Sequence, residues 1–166
     1  VIHARIQGHP ARAHLHQPFV EALGLPAEIM VHQSEPPNPW QGYRACLTDI
    51  PPCDHLLVIQ DDAAPCKNFA PAVEAVARAN PGTPVSLWLS AHPAGTAGRT
   101  RQAMLRNKRY VWFGYTKYVY LVALLWPRHL AVEFLAWADE HAKPTARADD
   151  GVVADWVKAT KQHVLV

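Results

Sequence analysis

The stretch Asp54-His55-Leu56-Leu57-Val58-Ile59-Gln60-Asp61-Asp62 sets four large apolar residues in a row and closes on two carboxylates. A strand with one wet face alternates apolar and polar residues. An unbroken apolar run of this length instead marks a strand buried on both faces, the pattern of a central strand covered by helices. Toward the N-terminus, Ile2, Ala4 and Ile6 alternate with His3 and Arg5, which predicts a first strand ended by Gly8 and Pro10. A helix is expected over 13–23, with Leu15, Phe19, Ala22 and Leu23 on one face and Gly24 as its stop. A short strand over 27–31 and a Pro-rich turn over 35–39 then lead to a helix over about 40–50.

Toward the C-terminus the pattern predicts a helix over 68–79 and a strand over 84–90. The alternation to this point is β-α-β-α-β-α-β, which argues for a largely parallel α/β sheet. Residues 91–109 interrupt it with Gly, Ala, Thr, Pro and basic side chains, and a loop of that length is expected to be mobile and functional. A strand over 118–126 follows, then a helix with Pro127 in its first turn running to about 141. The last helix opens at Asp149-Asp150 with Val152, Val153, Trp156 and Val157 on its apolar face, and a strand over 163–166 ends the chain. Trp40, Trp126, Trp137 and Trp156 are expected in the core.

The chain has 166 residues, 49% hydrophobic and 18% charged, enough for one domain with a buried core and too apolar for disorder. We therefore read 1–166 as a single domain. A net charge of +2 does not by itself call for a nucleic-acid partner. No apolar run reaches the roughly 18–20 residues of a membrane span, and no secretory leader opens the chain. Cys46, Cys53 and Cys66 form no Cys-x-x-Cys pair, which fits a cytoplasmic setting better than a disulfide scaffold. The ten histidines are scattered and make no His-x-x-x-His pattern. The chain starts at Val1 and stops inside a β-type run, so trimming at the ends is expected, above all beyond Val166.

In open α/β sheets the ligand sits outside the carboxyl ends of the strands, where Asp61 and Asp62 fall. Two carboxylates there are hard oxygen ligands suited to Mg²⁺ or Mn²⁺ held jointly with a diphosphate, whose developing charge the metal neutralises. The plainer reading is loop solvation and a negative charge ahead of the next helix. Asp149 and Asp150 make a good helix start. A helix cap needs only one of them, and the other is a candidate general base for an acceptor hydroxyl.

The string Leu56 to Ala63 with Asn68-Phe69 after it, followed by a Tyr-rich strand and the acidic start at Asp149-Asp150, resembles the lipooligosaccharide-type glycosyltransferases of bacteria. The resemblance covers about 40–160 in order of elements, and identity only in the two acidic motifs. It implies a GT-A fold, which is a Rossmann-like, mostly parallel central sheet flanked by helices. It also implies a nucleoside-diphosphate sugar donor, expected to be a UDP-sugar, and an inverting transfer. The divalent metal would be Mn²⁺ or Mg²⁺, held by Asp62 with help from Asp61, and the base would be Asp150 or Asp149. Gln60 stands where that family carries Glu, beside the donor. Arg5 and Arg12, around the end of the first strand, are the expected nucleotide contacts.

Arg99, Arg101, Arg106, Lys108 and Arg109 are followed by Tyr110, Trp112, Phe113, Tyr115, Lys117 and Tyr118. Basic groups contact phosphates and aromatics stack on bases or sugar faces, so the acceptor is expected to be a saccharide or a hydroxymethylated base in DNA. A solvated basic loop beside core aromatics is the alternative for this segment. Two other functions use the same acidic pair or lose it. A metal-dependent phosphoesterase or nuclease would employ water as nucleophile. A non-catalytic binding domain would keep a degenerate glycosyltransferase fold.

Overall fold

A computed structural model describes residues 1–88, 102, 105–106, 108, 112–113, 119, 121–143 and 148–166. In chain order its elements are β1 (Ile2–Gly8), a 3₁₀ turn (Pro10–Arg12), α1 (Ala13–Leu23), β2 (Ala27–Val31), α2 (Pro39–Leu47), β3 (His55–Gln60) and α3 (Phe69–Ala79). They continue with β4 (Val85–Ser86), β5 (Trp112–Phe113), β6 (Ala123–Pro127), α4 (Arg128–His141), α5 (Asp149–Thr160) and β7 (Val164–Leu165). No helix among the described residues is long and apolar enough to cross a membrane.

The protein is α/β, and all of these strands lie in one sheet, in the order β2-β1-β3-β6-β4-β7-β5. β1 runs parallel to β2 and to β3. β6 then enters antiparallel to both β3 and β4, and β5 antiparallel to β7, so three of the six pairings are antiparallel. The sheet is mixed, where the alternation had suggested a largely parallel one. What buries β3 on both faces is the helical cover, which does not depend on the direction of the neighbouring strand.

That cover divides the run cleanly. Leu56 and Val58 join Leu124 and Trp126 against α2, α4 and α5. Leu57 and Ile59 point the other way, with Ile6, Ala123 and Leu125, against α1 and α3. Three of the four expected tryptophans are buried and Trp137 packs partly buried against the first core. Trp126 is central there: its Nε1 donates to the Tyr43 hydroxyl at 2.8 Å and its ring stacks on Phe134 at 5.2 Å.

Details of the expected elements change: among the described residues the strand expected over 84–90 spans Val85–Ser86, the one expected over 118–126 begins at Ala123, and the helix expected to about 50 ends at Leu47. Leu15 is exposed and His16 takes its place in the buried stripe of α1 with Phe19 and Leu23. Pro127 closes β6 and stands just ahead of α4, because its carbonyl side is still extended at ψ 128°. Gly24 ends α1 at φ 63°, the left-handed conformation that favours glycine. α2 begins as its sequence asks, with the Asn38 side chain accepting from Gln41 N–H and Pro39 in the first turn.

Arg5 ties β1 to the far end of α2. Its guanidinium donates to the carbonyls of Cys46 (3.3 Å), Thr48 and Asp49 (2.8 Å) and to Glu28 (3.1 Å). A helix ends with carbonyls that lack partners, and here a buried arginine supplies them. Arg5→Ala is expected to lower stability by about 3 kcal/mol, the cost of stranding several buried acceptors at once. Urea unfolding should show a lower midpoint with an unchanged slope. A loss below about 1 kcal/mol would contradict the role, since that is the worth of a single hydrogen bond.

Candidate functional site

The chain leaves β1 toward the β2 side and returns across it to β3, with α1 on one face of the sheet and α2 on the other. Such a reversal opens a crevice at the strands' carboxyl ends. One of about 200 Å³ lies there, and its walls include Gln7, Gly8, Arg12, His32, Asn38, Gly42, Gln60 and Asp62. Gln7 and Gln60 are register partners at the ends of β1 and β3. Most of these side chains are uncharged, with one guanidinium and one carboxylate, and Pro37 and Pro39 add to a surface that is largely apolar.

The two carboxylates after β3 take opposite roles. Asp61 is buried, with its side chain fully enclosed. Its Oδ1 accepts from Arg12 Nε at 2.7 Å and lies 2.6 Å from Arg12 Nη2 in the same ion pair, and its Oδ2 accepts from His9 N–H at 2.7 Å. His16 Nε2 adds a fourth contact at 3.1 Å. Burial pushes the Asp61 carboxyl up, but the bonds from Arg12, His9 and His16 outweigh it and hold it below its usual range. Three hydrogen bonds and the ion pair with Arg12 occupy both carboxylate oxygens. Asp61 thus does not fit the part of metal ligand foreseen for it. Asp62, by contrast, is exposed and lines the crevice.

Arg12 is fixed by Asp61 and remains part-exposed at the crevice. Gln60 is also in the lining, whereas Arg5 is not. The Arg5 guanidinium is spent on the end of α2, which removes it from the nucleotide contacts expected for it. At the second acidic motif, Asp149 is buried and Asp150 half-buried. Asp149 Oδ1 accepts from Asp150 N–H at 2.9 Å, and Asp150 Oδ1 accepts from Gly151 N–H at 2.8 Å. Burial raises the Asp149 carboxyl and the charge of Asp150 raises it further, against the pull of backbone N–H groups and of Gln7. Neither Asp149 nor Asp150 is among the residues that line the crevice.

Several contributors escaped the sequence reading. His9 and His16 clamp Asp61, and His32, Asn38 and Gly42 shape the wall. Gly42 carried a signal: glycine inside a helix costs about 1 kcal/mol relative to alanine, so its presence points to a close approach. A Cβ at Gly42 would lie 3.0 Å from Gln7 Nε2. Among the described residues, no group of three or more His, Cys, Asp and Glu side chains is placed to hold a metal ion. Arg99, Arg101, Arg109, Tyr110, Tyr115, Lys117 and Tyr118, offered as the acceptor surface, lie outside the described residues, as does most of 91–109. No protein-family model matches the chain, and neither does any curated protein.

The clamp on Asp61 has a pH signature. A carboxyl held below its unfolded value contributes stability that is present above the unfolded pKa of about 3.9 and is lost as pH falls through the folded value. Asp61→Asn is expected to cost about 2 kcal/mol at pH 7, because a buried amide replaces the carboxylate among its donors and the part-exposed Arg12 loses its counter-charge. In urea titrations the gap between wild type and variant should stay constant down to about pH 4 and close below it. A gap that does not change with pH would mean that the contact is packing rather than charge.

Proposed function

We propose that the crevice holds the nucleoside-diphosphate part of a sugar donor, a UDP-sugar, and that the protein transfers the sugar to an acceptor hydroxyl with inversion. One observation carries this reading: a free carboxylate, Asp62, and a pre-set guanidinium, Arg12, meet at the carboxyl ends of β1 and β3. That pairing suits a diphosphate and its counter-cation, and a largely apolar wall with a few amides, among them Gln7, Asn38 and Gln60, suits the rest of a nucleotide. A GT-A architecture belongs to the same proposal. Its support is a helix-covered sheet whose doubly buried strand ends in one acidic pair, with a second acidic pair opening α5.

The residues then divide the work. Asp62, with the donor's own phosphate oxygens, would hold Mg²⁺ or Mn²⁺, an arrangement that asks for only one or two protein carboxylates. Bound there, the ion would offset charge on the departing diphosphate. Arg12 adds a fixed positive charge that needs no rearrangement during reaction, because Asp61 already holds it in place. Asp150 is the base that takes the acceptor's proton as its oxygen attacks the sugar carbon from the side opposite the diphosphate. A saccharide and a hydroxymethylated DNA base are the two acceptors that this chemistry serves.

Calorimetric titration of UDP with and without Mn²⁺ tests the reading without knowledge of the acceptor. Wild type is expected to bind in a metal-dependent way and Asp62→Asn to lose that dependence. Asp150→Asn should bind UDP normally, and with an acceptor in hand its turnover should fall by roughly 10²–10⁴-fold, the usual worth of a general base. Lack of UDP binding by wild type under every condition would overturn the proposal and favour a non-catalytic domain. Release of phosphate from simple esters would favour a phosphoesterase.

A further inference from the structure

The turn that follows β1 carries a histidine held from two directions. His9 N–H donates to Asp61 Oδ2 at 2.7 Å, and His9 Nδ1 accepts from Ala11 N–H at 3.2 Å. A ring nitrogen that accepts carries no proton, so the neutral imidazole holds its proton on Nε2. Three residues on, Asp61 engages the Nε and Nη2 edge of Arg12. His9 Nε2 and Arg12 Nη1 have no partner among the described residues. One buried carboxylate therefore fixes both ends of the turn. His9 is exposed and Arg12 part-exposed, and both line the crevice together with Asp62.

The main chain of this turn offers a ligand nothing. Pro10 has no N–H, and those of His9, Ala11 and Arg12 are taken by Asp61, His9 Nδ1 and the His9 carbonyl. What remains are two side-chain donors, one charged and one neutral, beside a single carboxylate. Such a pair suits a ligand with several anionic oxygens, and Asp62 suits a cation shared with that ligand. We propose that His9 is a second phosphate-binding residue: its Nε2–H donates to an oxygen of the diphosphate that Arg12 also contacts. This rests on the donor-site reading for the nucleotide, though not for the anion itself. The ring is already held by Ala11, so the bond forms without proton transfer and with little loss of freedom. A donor in place beforehand also needs no rearrangement as charge develops on the departing diphosphate.

A cap on the 3₁₀ turn would by itself account for the Nδ1 contact, and asparagine serves as a cap equally well. His9→Asn parts the two roles, because an amide oxygen can cap the turn while the imidazole N–H is lost. It is expected to unfold in urea at the wild-type midpoint. Its UDP binding should weaken at least about tenfold, the lower end for a hydrogen bond to a charged group. His9→Ala loses the cap as well and should fall in both measurements. Uridine, which has no phosphate, should bind wild type and His9→Asn alike.

The deciding experiment titrates UDP and inorganic pyrophosphate, each with Mg²⁺, into wild type and His9→Asn by calorimetry. Two-bond proton–nitrogen spectra of the wild-type histidine rings accompany it, at about pH 8, above the ordinary histidine value. His9 is expected to show a bare Nδ1 and a protonated Nε2, and pyrophosphate should shift the Nε2 signal while Nδ1 stays bare. A proton on Nδ1 would overturn the proposal, and so would a His9→Asn protein that binds pyrophosphate as tightly as wild type. Should that variant fail to fold, the wild-type ring spectra with and without pyrophosphate decide. His9-dependent binding of pyrophosphate without any binding of UDP would keep the anion site and end the donor-site reading. UDP binding that ignores the His9 substitution would do the reverse, and failure of both ligands to bind wild type would end both.

Discussion

The end of β3 is held by a carboxylate with no exposed surface, and most of what surrounds the crevice depends on it. Asp61 gathers an arginine from the 3₁₀ turn, a main-chain N–H from His9 and an imidazole from α1 around two oxygens. An ionised carboxyl can stay buried only if its oxygens have partners, and here both do. The cost of that burial is offset by fixing the first turn after β1 against the last residue of β3. Gly8 allows it, because a Cβ there would sit 3.1 Å from the His16 ring and 3.0 Å from Ile29. The crevice is thus a consequence of satisfying one buried charge, and Arg12 arrives at its wall already aimed.

The part of this that could be read from residue order is the part governed by local rules. Gly24 stopping α1, Asn38-Pro39 starting α2 and the apolar run of β3 each follow from one residue's conformational limits or from a simple period. Strand direction is not local. Ala123–Pro127 is as apolar as a parallel strand would be, and its reversal is fixed by where the chain re-enters the sheet between β3 and β4. Leu15 failed for a related reason: periodicity finds a helical stripe, but the stripe's edge is settled by what stands opposite. In α1 that place belongs to His16, because Asp61 supplies its partner.

Arg5 illustrates the same boundary from the side of function. An arginine near the end of a first strand is a reasonable nucleotide contact by position. Its actual surroundings are the last carbonyls of α2, more than forty residues away in sequence. Helix ends need donors, and a long guanidinium that reaches them from the neighbouring strand is consumed there. Arg12, seven residues on, keeps part of its surface at the crevice because its partner, the buried Asp61, stands in sequence between two residues of the crevice lining, Gln60 and Asp62.

Both acidic pairs obey one further constraint that a dipeptide hides. Neighbouring side chains cannot share a direction: they diverge by about 180° along an extended strand and about 100° around a helix. After β3 the first carboxylate turns inward and the second outward, so Asp61 is buried and Asp62 exposed. At the start of α5 the same split leaves Asp149 buried and Asp150 half-buried. Two adjacent aspartates that read as a pair of equal ligands, or as two equal candidates for a base, are therefore unlike by geometry. In each pair the inner residue is available to hold the architecture and the outer one to meet a ligand. The inner residue's environment then decides its charge: Asp61 is surrounded by donors and stays ionised, whereas burial, and after it the charge of Asp150, draws Asp149 toward its neutral form.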